Sequence, residues 1–316
     1  MSTIVQKKFV RNLPYNIRNT IMQKLYILQL LVLLGCNREN KTVNLKPVTE
    51  FGLPVKVEMI GYSGNIMEPF LSRDGNTLLF NNLNAPPENT NLHWATKIND
   101  HSFLYKGEIS RVNTPDLEGV PTLDNTGKLY FVSLRNYANT VSSLYVCDFS
   151  NGVATNVELV NGISRLQAGW VNFDIETSAD GQTIYFVDGQ FGQTAIPLSA
   201  DIVIAKKNGL NFERMPNSST IMKNINSADL EYAACISVNQ LELYFTRLVL
   251  PVTAASVSEM YVSTRQNTNE PFAEPAKIKS ITGFAEAATI APDQKTIYYH
   301  LKENNKFVLY MVVKKE

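Results

Sequence analysis

A repeat of about 54 residues constrains the fold of this chain more than any other feature of its sequence. One pattern recurs five times: a short apolar segment, a tight polar turn and an aromatic-rich segment. The closing aromatic residues of the five copies are 51 to 59 residues apart, at Phe80, Phe131, Phe186, Phe245 and Tyr299. A repeat of this length indicates a solenoid, propeller or array rather than a single irregular core.

The composition of each copy favours β-strands. The turns are Asp-Gly or close variants, whose tolerance of positive φ suits tight hairpins. The flanking segments are rich in Tyr, Phe, Ile, Leu and Val, which fit a pleated, half-buried surface. A third apolar segment follows every copy, and four copies are followed by a fourth, at residues 103–112, 153–160, 212–216 and 272–278. Four strands per repeat predict an all-β fold, a β-propeller of five four-stranded antiparallel blades.

The fifth copy has three predicted strands before Glu316, and residues 53–60 form an apolar segment before the first copy. Pairing that segment with the last blade would close the ring and cover an exposed edge. We therefore expect one propeller domain over residues 51–316, with its last blade closed by the N-terminal strand.

The repeats resemble the WD-repeat-like propeller repeat of the TolB type. The resemblance rests on segments such as residues 68–80 and 174–186, with the Ser-x-Asp-Gly turn and the closing aromatic residue. It is close in the first three copies and weaker in the last two, where Asn239-Gln240 and Asp293-Gln294 occupy the turn. The resemblance implies a periplasmic or cell-surface role in binding or scaffolding more often than in catalysis.

The N-terminal 35 residues differ from the rest of the sequence. They carry five basic and no acidic residues, and the apolar run 25–34 leads into Leu33-Leu34-Gly35-Cys36. A basic start and a short apolar stretch are typical of a secretory signal. The last four residues resemble the lipobox of bacterial lipoproteins, which implies lipidation of Cys36 and a polar linker over residues 36–50. Met22 is an alternative start, and a buried N-terminal helix with a chance cysteine is the alternative interpretation.

The predicted location is therefore the bacterial cell envelope, lipid-anchored and facing the periplasm or the cell surface. Loss of residues 1–35 would leave 24 basic and 29 acidic residues. A mildly acidic protein is a poor partner for nucleic acid. Cys147 and Cys235 lie in apolar strand-like runs and are expected to be buried small hydrophobes, with a disulfide as the alternative.

The candidate site lies on the propeller face that carries the loops between second and third strands, which we call the loop face. An acid stands at or near the start of each inner strand: Glu68, Glu118, Asp174, Glu231 and Glu286. Arg135, Arg247 and His300 end second strands on the same face, and Trp170 precedes an inner strand. These residues predict a polar pocket for a glycan or peptide, with Trp170 stacking on the ligand. The alternative is that the acids only hold the ring together.

Other residues are expected to be structural. Asp74, Asp180 and Asp293 are turn residues on the opposite face, the turn face, and one carboxylate per turn is a poor calcium site. His93, His101 and His300 fall in different repeats without ligand spacing, so neither a metal nor a cofactor is predicted.

Two functions remain open from the sequence. The preferred one is a non-catalytic, lipid-anchored propeller that binds a protein, glycan or peptide on its loop face, with no catalytic residue. The alternative is a glycoside-acting enzyme that uses paired carboxylates at the channel mouth. A Gly-x-Ser-x-Gly nucleophile elbow and a phosphate-binding glycine loop are both missing from the sequence.

Overall fold

The computed structural model describes residues 50–84, 87–253 and 255–315. Cys36 and the predicted signal and linker segments lie outside these residues, apart from Glu50. The described part of the protein is nearly all β-structure, with short α-helices at α1 (Tyr137–Thr140) and α2 (Ser218–Ile221) and a 3₁₀ turn at Pro87–Asn89. Within the described residues, no helix is long and apolar enough to cross a membrane.

The strands pair into five successive four-stranded antiparallel blades. Blade 1 contains β3 (Met67–Leu71), β4 (Thr77–Asn81), β5 (Leu92–Asn99) and β6 (Ser102–Glu108). Blade 2 contains β7 (Glu118–Leu123), β8 (Lys128–Ser133), β9 (Leu144–Ser150) and β10 (Val153–Leu159). Blade 3 contains β11 (Trp170–Thr177), β12 (Thr183–Phe191), β13 (Pro197–Asn208) and β14 (Asn211–Arg214). The first strand of each blade is its inner strand.

Blade 4 contains β15 (Leu230–Ile236), β16 (Glu242–Leu248), β17 (Glu259–Thr264) and β18 (Ala276–Lys277). Blade 5 contains β19 (Ala285–Ile290), β20 (Thr296–Glu303), β21 (Lys306–Val313) and β1 (Val55–Lys56). A single parallel bridge from Ala200 to Leu230 joins blades 3 and 4. The predicted loop 188–200 is largely strand, because β12 and β13 extend towards the loop face as a long hairpin.

The predicted closure of the ring is confirmed, with one difference. β1 pairs antiparallel with β21, Val55 lying opposite Met311. β2 (Glu58–Ile60), however, pairs in parallel with β6 of blade 1, Glu58 lying opposite Ser102. The segment thus crosses from the last blade to the first, with Val57 buried between them. One short segment therefore covers the outer edges of two blades, whereas a strand that paired with the last blade alone would leave the edge of blade 1 exposed.

The core lies between neighbouring blades. The five aromatic residues that close the sequence repeats are at most 1% exposed: Phe80, Phe131, Phe186, Phe245 and Tyr299. Cys147 and Cys235 are buried free thiols, so within the described residues the alternative of a disulfide between them does not hold. The prediction that they act as small hydrophobes agrees with this burial.

The turn-face acids have the structural role that the sequence predicts. The Ser178 hydroxyl donates to Asp180 Oδ1 at 2.6 Å, and this bond holds the pKa of Asp180 below its ordinary value. Asp293 accepts the backbone N–H and the hydroxyl of Thr296 at 2.8 and 2.6 Å. Where blades 1 to 3 have glycine at positive φ in this turn, Gln240 and Gln294 adopt φ of 59° and 57° in blades 4 and 5. The turn geometry therefore survives the sequence change.

Each inner strand carries one bulge at the same point of the repeat. The bulge residues have φ between 47° and 57° and coincide with breaks in strand register. They are Glu68, Val120, Asp174, Ala233 and Ala287. All five line one central cavity of about 30 Å³, which shows that the five inner strands surround a common axis. Because a bulge re-aims the side chains around it, it decides which residues face that axis.

Candidate active site

Three of the five predicted acids meet at the axis. Glu68 and Asp174 occupy the bulges of blades 1 and 3, and Glu286 directly precedes the bulge of blade 5. Their relative exposures are 7%, 6% and 6%. Carboxylates are rarely this buried unless they are paired or hydrogen-bonded, so the contacts of each group matter.

Hydrogen bonds from several blades fix these carboxylates. Asn84 Nδ2 donates to Glu68 Oε1 at 3.1 Å, and the Ala233 N–H donates to Asp174 Oδ2 at 2.8 Å. The Tyr232 hydroxyl donates to Glu286 Oε1 in a short hydrogen bond. The cluster therefore joins four blades at one point.

His300 links two of the acids and can be assigned a tautomer. The Glu68 backbone N–H donates to His300 Nδ1 at 3.0 Å, so Nδ1 carries no proton. The ring proton is then on Nε2, which lies 3.3 Å from Glu286 Oε2 and donates to it. His300 and Tyr232 thus each donate a hydrogen bond to Glu286.

Glu68, Glu286 and His300 also offer potential metal-ligand atoms that all lie within 4.8 Å of one another. A metal-bound histidine needs a free nitrogen lone pair, and its other nitrogen normally acts as a donor. Here Nδ1 accepts a backbone hydrogen bond and Nε2 carries the proton. The residues therefore fit a cluster of carboxyl groups held by hydrogen bonds from His300, Tyr232 and Asn84 better than a metal centre.

Burial and the neighbouring carboxyl groups raise the pKa of Glu68 and Asp174. Burial raises the pKa of Glu68 to about 8; His300 opposes this shift, while Asp174 and Glu286 add to it. Burial also raises the pKa of Asp174 to about 7. The hydrogen bond from the Ala233 N–H opposes this shift, and the charge of Glu286 adds to it. At neutral pH the Glu68 carboxyl is mostly protonated. A carboxyl group that keeps its proton at neutral pH, with other carboxyl groups beside it, is one element that acid–base chemistry requires.

Glu118 and Glu231 lie elsewhere. Both are fully buried within their own blades and do not line the central cavity. Glu118 accepts the backbone N–H and the hydroxyl of Thr114 at 2.7 and 2.8 Å, and the Ser133 hydroxyl at 2.7 Å. Glu231 accepts the same two groups of Ser227 at 2.9 and 2.6 Å. These two acids brace the loop before an inner strand. Their role is therefore structural, which is the alternative that the sequence analysis left open for the acids.

The two predicted arginines complete that bracing. Arg135 donates to Glu118 Oε1 at 3.2 Å and to the Val112 carbonyl at 2.6 Å. Arg247 donates to Glu231 Oε1 at 2.7 Å and to the Ile225 carbonyl at 2.8 Å. The structure therefore does not bring Arg135 or Arg247 to the three axial acids.

Trp170 stands at the loop-face end of the inner strand β11 and is half-buried. The Arg165 guanidinium covers one face of its indole at 4.1 Å and donates to Asp188 Oδ2 at 2.9 Å. Arg165 therefore occupies one face of the indole on which the sequence predicts that a ligand stacks, and Trp170 is not among the residues that line the central cavity.

The sequence analysis missed an aromatic wall beside the acids. Phe173 lies 5.8 Å from Phe191 and 6.4 Å from Tyr232, measured between ring centroids, and all three rings are partly exposed. Tyr232 directly follows the braced Glu231, so the alternation of side chains along a strand was the signal that it faces the other way.

A buried ion pair lies on the side of the cavity towards the turn face. Arg73 donates to Glu176 Oε1 at 2.6 Å and to the Thr177 carbonyl at 2.7 Å, so it reaches from blade 1 to blade 3. The other Glu176 oxygen accepts the Thr122 hydroxyl of blade 2 at 2.8 Å. This ion pair and its hydrogen bonds therefore join blades 1, 2 and 3 on that side of the cavity.

Fold and site together define a β-propeller with a carboxylate cluster on its axis. No protein-family model and no curated protein sequence matches this chain. Among solved structures, a complex of BT0996 with RGII is similar with a TM-score of 0.57 and 12% identity, over 85% of this chain and 93% of that one. A glycoside hydrolase gives 0.55 and 13%, over 84% and 91%. A family 117 glycoside hydrolase, Zg3597 from the marine bacterium Zobellia galactanivorans, gives 0.50 and 10%, over 84% and 91%.

At this level of identity the likenesses establish the fold, a β-propeller. They also correct the functional prediction, because glycoside hydrolases recur among the similar propellers. The preference for a non-catalytic binder over an enzyme was wrong. The TolB-type resemblance is supported as far as the propeller and no further.

Proposed function

We propose that this protein is a glycoside hydrolase whose active centre is formed by Glu68, Asp174 and Glu286. The observation that carries the proposal is the meeting of three buried carboxyl groups from three blades, with a protonated Glu68 beside a Glu286 that receives two hydrogen bonds. Glycoside hydrolysis needs one carboxylic acid and one carboxylate at the scissile bond. The glycoside hydrolases among the similar propellers support the same assignment.

Each acid has a distinct role in this proposal. Glu68 donates its proton to the glycosidic oxygen as the bond to the leaving group breaks. Glu286, oriented by Tyr232 and His300, acts on the anomeric carbon as the nucleophile, because the carboxyl groups of Glu68 and Glu286 approach within 4.8 Å and are too close to hold an attacking water between them. Burial is the main cause of the raised pKa of Glu68, and the charge of Asp174 adds to it, so that the acid is protonated at neutral pH.

The sugar is expected to bind at the loop-face mouth. The cavity of about 30 Å³ has room for one or two water molecules, so a sugar ring cannot enter it. The partly exposed rings of Phe173, Phe191 and Tyr232 offer a surface on which the apolar face of a sugar can stack.

A panel of 4-nitrophenyl glycosides and polysaccharides tests the proposal with wild-type protein and the variants Glu68→Gln and Glu286→Gln. We expect hydrolysis of at least one substrate, and a loss of roughly 10²- to 10⁴-fold in kcat/KM for each variant, the range of general acid–base effects. Glu270→Gln, which removes an exposed carboxylate, is the matched control. Turnover that persists in both axial variants while their circular dichroism is unchanged would refute the assignment.

We propose in addition that the enzyme is a lipid-anchored protein of the bacterial envelope that acts on a glycan there. The basic leader, the apolar run and Leu33-Leu34-Gly35-Cys36 support this location. Metabolic labelling with a radioactive fatty acid tests it: wild-type protein should be labelled and Cys36→Ala should not. Equal labelling of both would exclude lipidation at Cys36.

A further inference from the structure

A second surface feature lies on the loop face beside the axial acids. A groove of about 410 Å³ separates the β12–β13 hairpin of blade 3 from the loop after β16 in blade 4. Apart from Thr194, its lining is apolar: Ile196, Pro197, Leu198, Leu250, Pro251 and Val252. Ile196 and Leu198 are 42% and 62% exposed, which is unusual for large apolar side chains placed side by side.

The groove offers little to a sugar. Among the described residues that line it, none is charged, and Pro197 and Pro251 have no N–H to donate. Its one side-chain hydroxyl, that of Thr194, already donates to the Ile196 carbonyl at 3.1 Å. A ligand rich in hydroxyl groups would lose hydrogen bonds to water on entering, whereas an apolar ligand would gain from burial.

A chain of neighbouring residues through the aromatic wall links the groove to Glu286. Pro197 lies opposite Phe191 in the β12–β13 pairing. Phe191 contacts Phe173, Phe173 contacts Tyr232, and Tyr232 donates to Glu286. The residues that link Glu286 to the groove in this chain are all uncharged.

We propose that the groove binds an apolar aglycone, an aryl or alkyl group attached to the sugar that the axial acids release. The inference rests on the proposed function, and it specifies the substrate class as glycosides with an apolar leaving group. The volume of the groove lies within the range of about 300–1,000 Å³ that is usual for small-ligand sites.

Binding is measured by calorimetry with n-octyl β-D-glucopyranoside below its micellar concentration, against methyl β-D-glucopyranoside. The full-length protein should bind the octyl compound and bind the methyl compound much more weakly. Leu198→Ser and Ile196→Ser should each weaken octyl glucoside binding roughly tenfold, the effect of removing about two buried methylene groups. Leu210→Ser removes a leucine that is 97% exposed and does not line the groove, so it should bind as wild type does.

Turnover separates this inference from the proposed function. With 4-nitrophenyl and methyl glycosides of the same sugar, Leu198→Ser should raise KM for the aryl substrate and leave the methyl substrate unchanged. Equal effects on both, or octyl glucoside binding that neither groove variant weakens, would overturn the aglycone groove while leaving the hydrolase intact. Groove-dependent binding without turnover of any glycoside would instead overturn the hydrolase. If wild-type protein dimerises and Leu198→Ser is monomeric, the groove is an interface between two copies and the aglycone proposal is wrong.

Discussion

Replacing Glu68 with glutamine should make the stability of the protein less dependent on pH. The pKa of Glu68 is raised from its ordinary value of 4.5 to about 8 in the folded protein. The folded state therefore holds a proton on this group that the unfolded chain has released, over the whole interval between the two values. An acid whose folded pKa is raised destabilises the fold as pH rises through that interval, and a glutamine at this position would carry no such penalty.

The size of the effect follows from the shift. Each pH unit between about 4.5 and 8 should lower the stability of wild type relative to Glu68→Gln by about 1.4 kcal/mol. The accumulated difference is on the order of 5 kcal/mol, and it should level off above pH 8. Asp174, whose pKa is also raised, is present in both proteins, and because its charge interacts with Glu68, the measured slope includes the change that the substitution makes in the titration of Asp174.

Urea unfolding of both proteins at intervals from pH 5 to pH 9 measures this difference. The informative quantity is the slope of this stability difference with pH. The substitution also removes the packing and hydrogen bonds of the glutamate, but that loss shifts the difference by the same amount at every pH. Glu270→Gln, at an exposed site, should give a profile parallel to wild type. A difference between Glu68→Gln and wild type that stays flat from pH 5 to pH 8 would show an ordinary carboxylate. Glu68 could not then be the proton donor at neutral pH, and the proposed mechanism would fall.

Three further results are expected. Hydrolysis should be lost as pH rises through about 8, because the proton that Glu68 transfers is then released to solvent; a rate profile that stays level to pH 9.5 would contradict this. Arg73→Met should cost roughly 3–5 kcal/mol in urea unfolding, since it leaves Glu176 as an uncompensated buried charge, and the double change with Glu176→Met should cost less than Arg73→Met alone. Glu118→Ala and Glu231→Ala should each destabilise the fold by roughly 2–4 kcal/mol, because each leaves the N–H and hydroxyl of Thr114 or Ser227, and a partly buried arginine, without their acceptor; full stability with lost turnover would return these acids to the active site.

The fold could be predicted from the sequence because the repeat encodes each blade locally. The apolar strands, the Asp-Gly turn and the closing aromatic residue lie within about 13 consecutive residues of each copy. Even Gln240 and Gln294, which replace the turn glycine, keep the same backbone geometry, because the hydrogen bonds of Asn239 and Asp293 still close the turn. The division of residues 53–60 between two blades was not predictable, since it depends on where the first and last blades meet.

The site could be predicted only in part, and the bulges are the reason. All five acids sit near the start of an inner strand, but the strand register breaks just there. Glu118 and Glu231 lie two residues before the bulge and turn into their own blades, whereas Glu68 and Asp174 lie on it and face the axis. In these sequences, nothing distinguishes a strand with a bulge from a regular strand. The acids that face the axis and those that turn into their own blades can therefore be told apart only once the backbone is known.

Comparison of equivalent positions separates structural from functional residues where composition does not. The bracing unit occurs twice, as Thr114 with Glu118 and Arg135, and as Ser227 with Glu231 and Arg247, with almost identical spacing. Such recurrence is expected when a residue serves the blade. Glu286 and His300, by contrast, have no equivalent in the other four blades at their repeat positions. Residues that depart from the repeat, yet are buried and hydrogen-bonded to one another, are not explained by the structure of the blade. The proposed active centre on the axis explains why they are there.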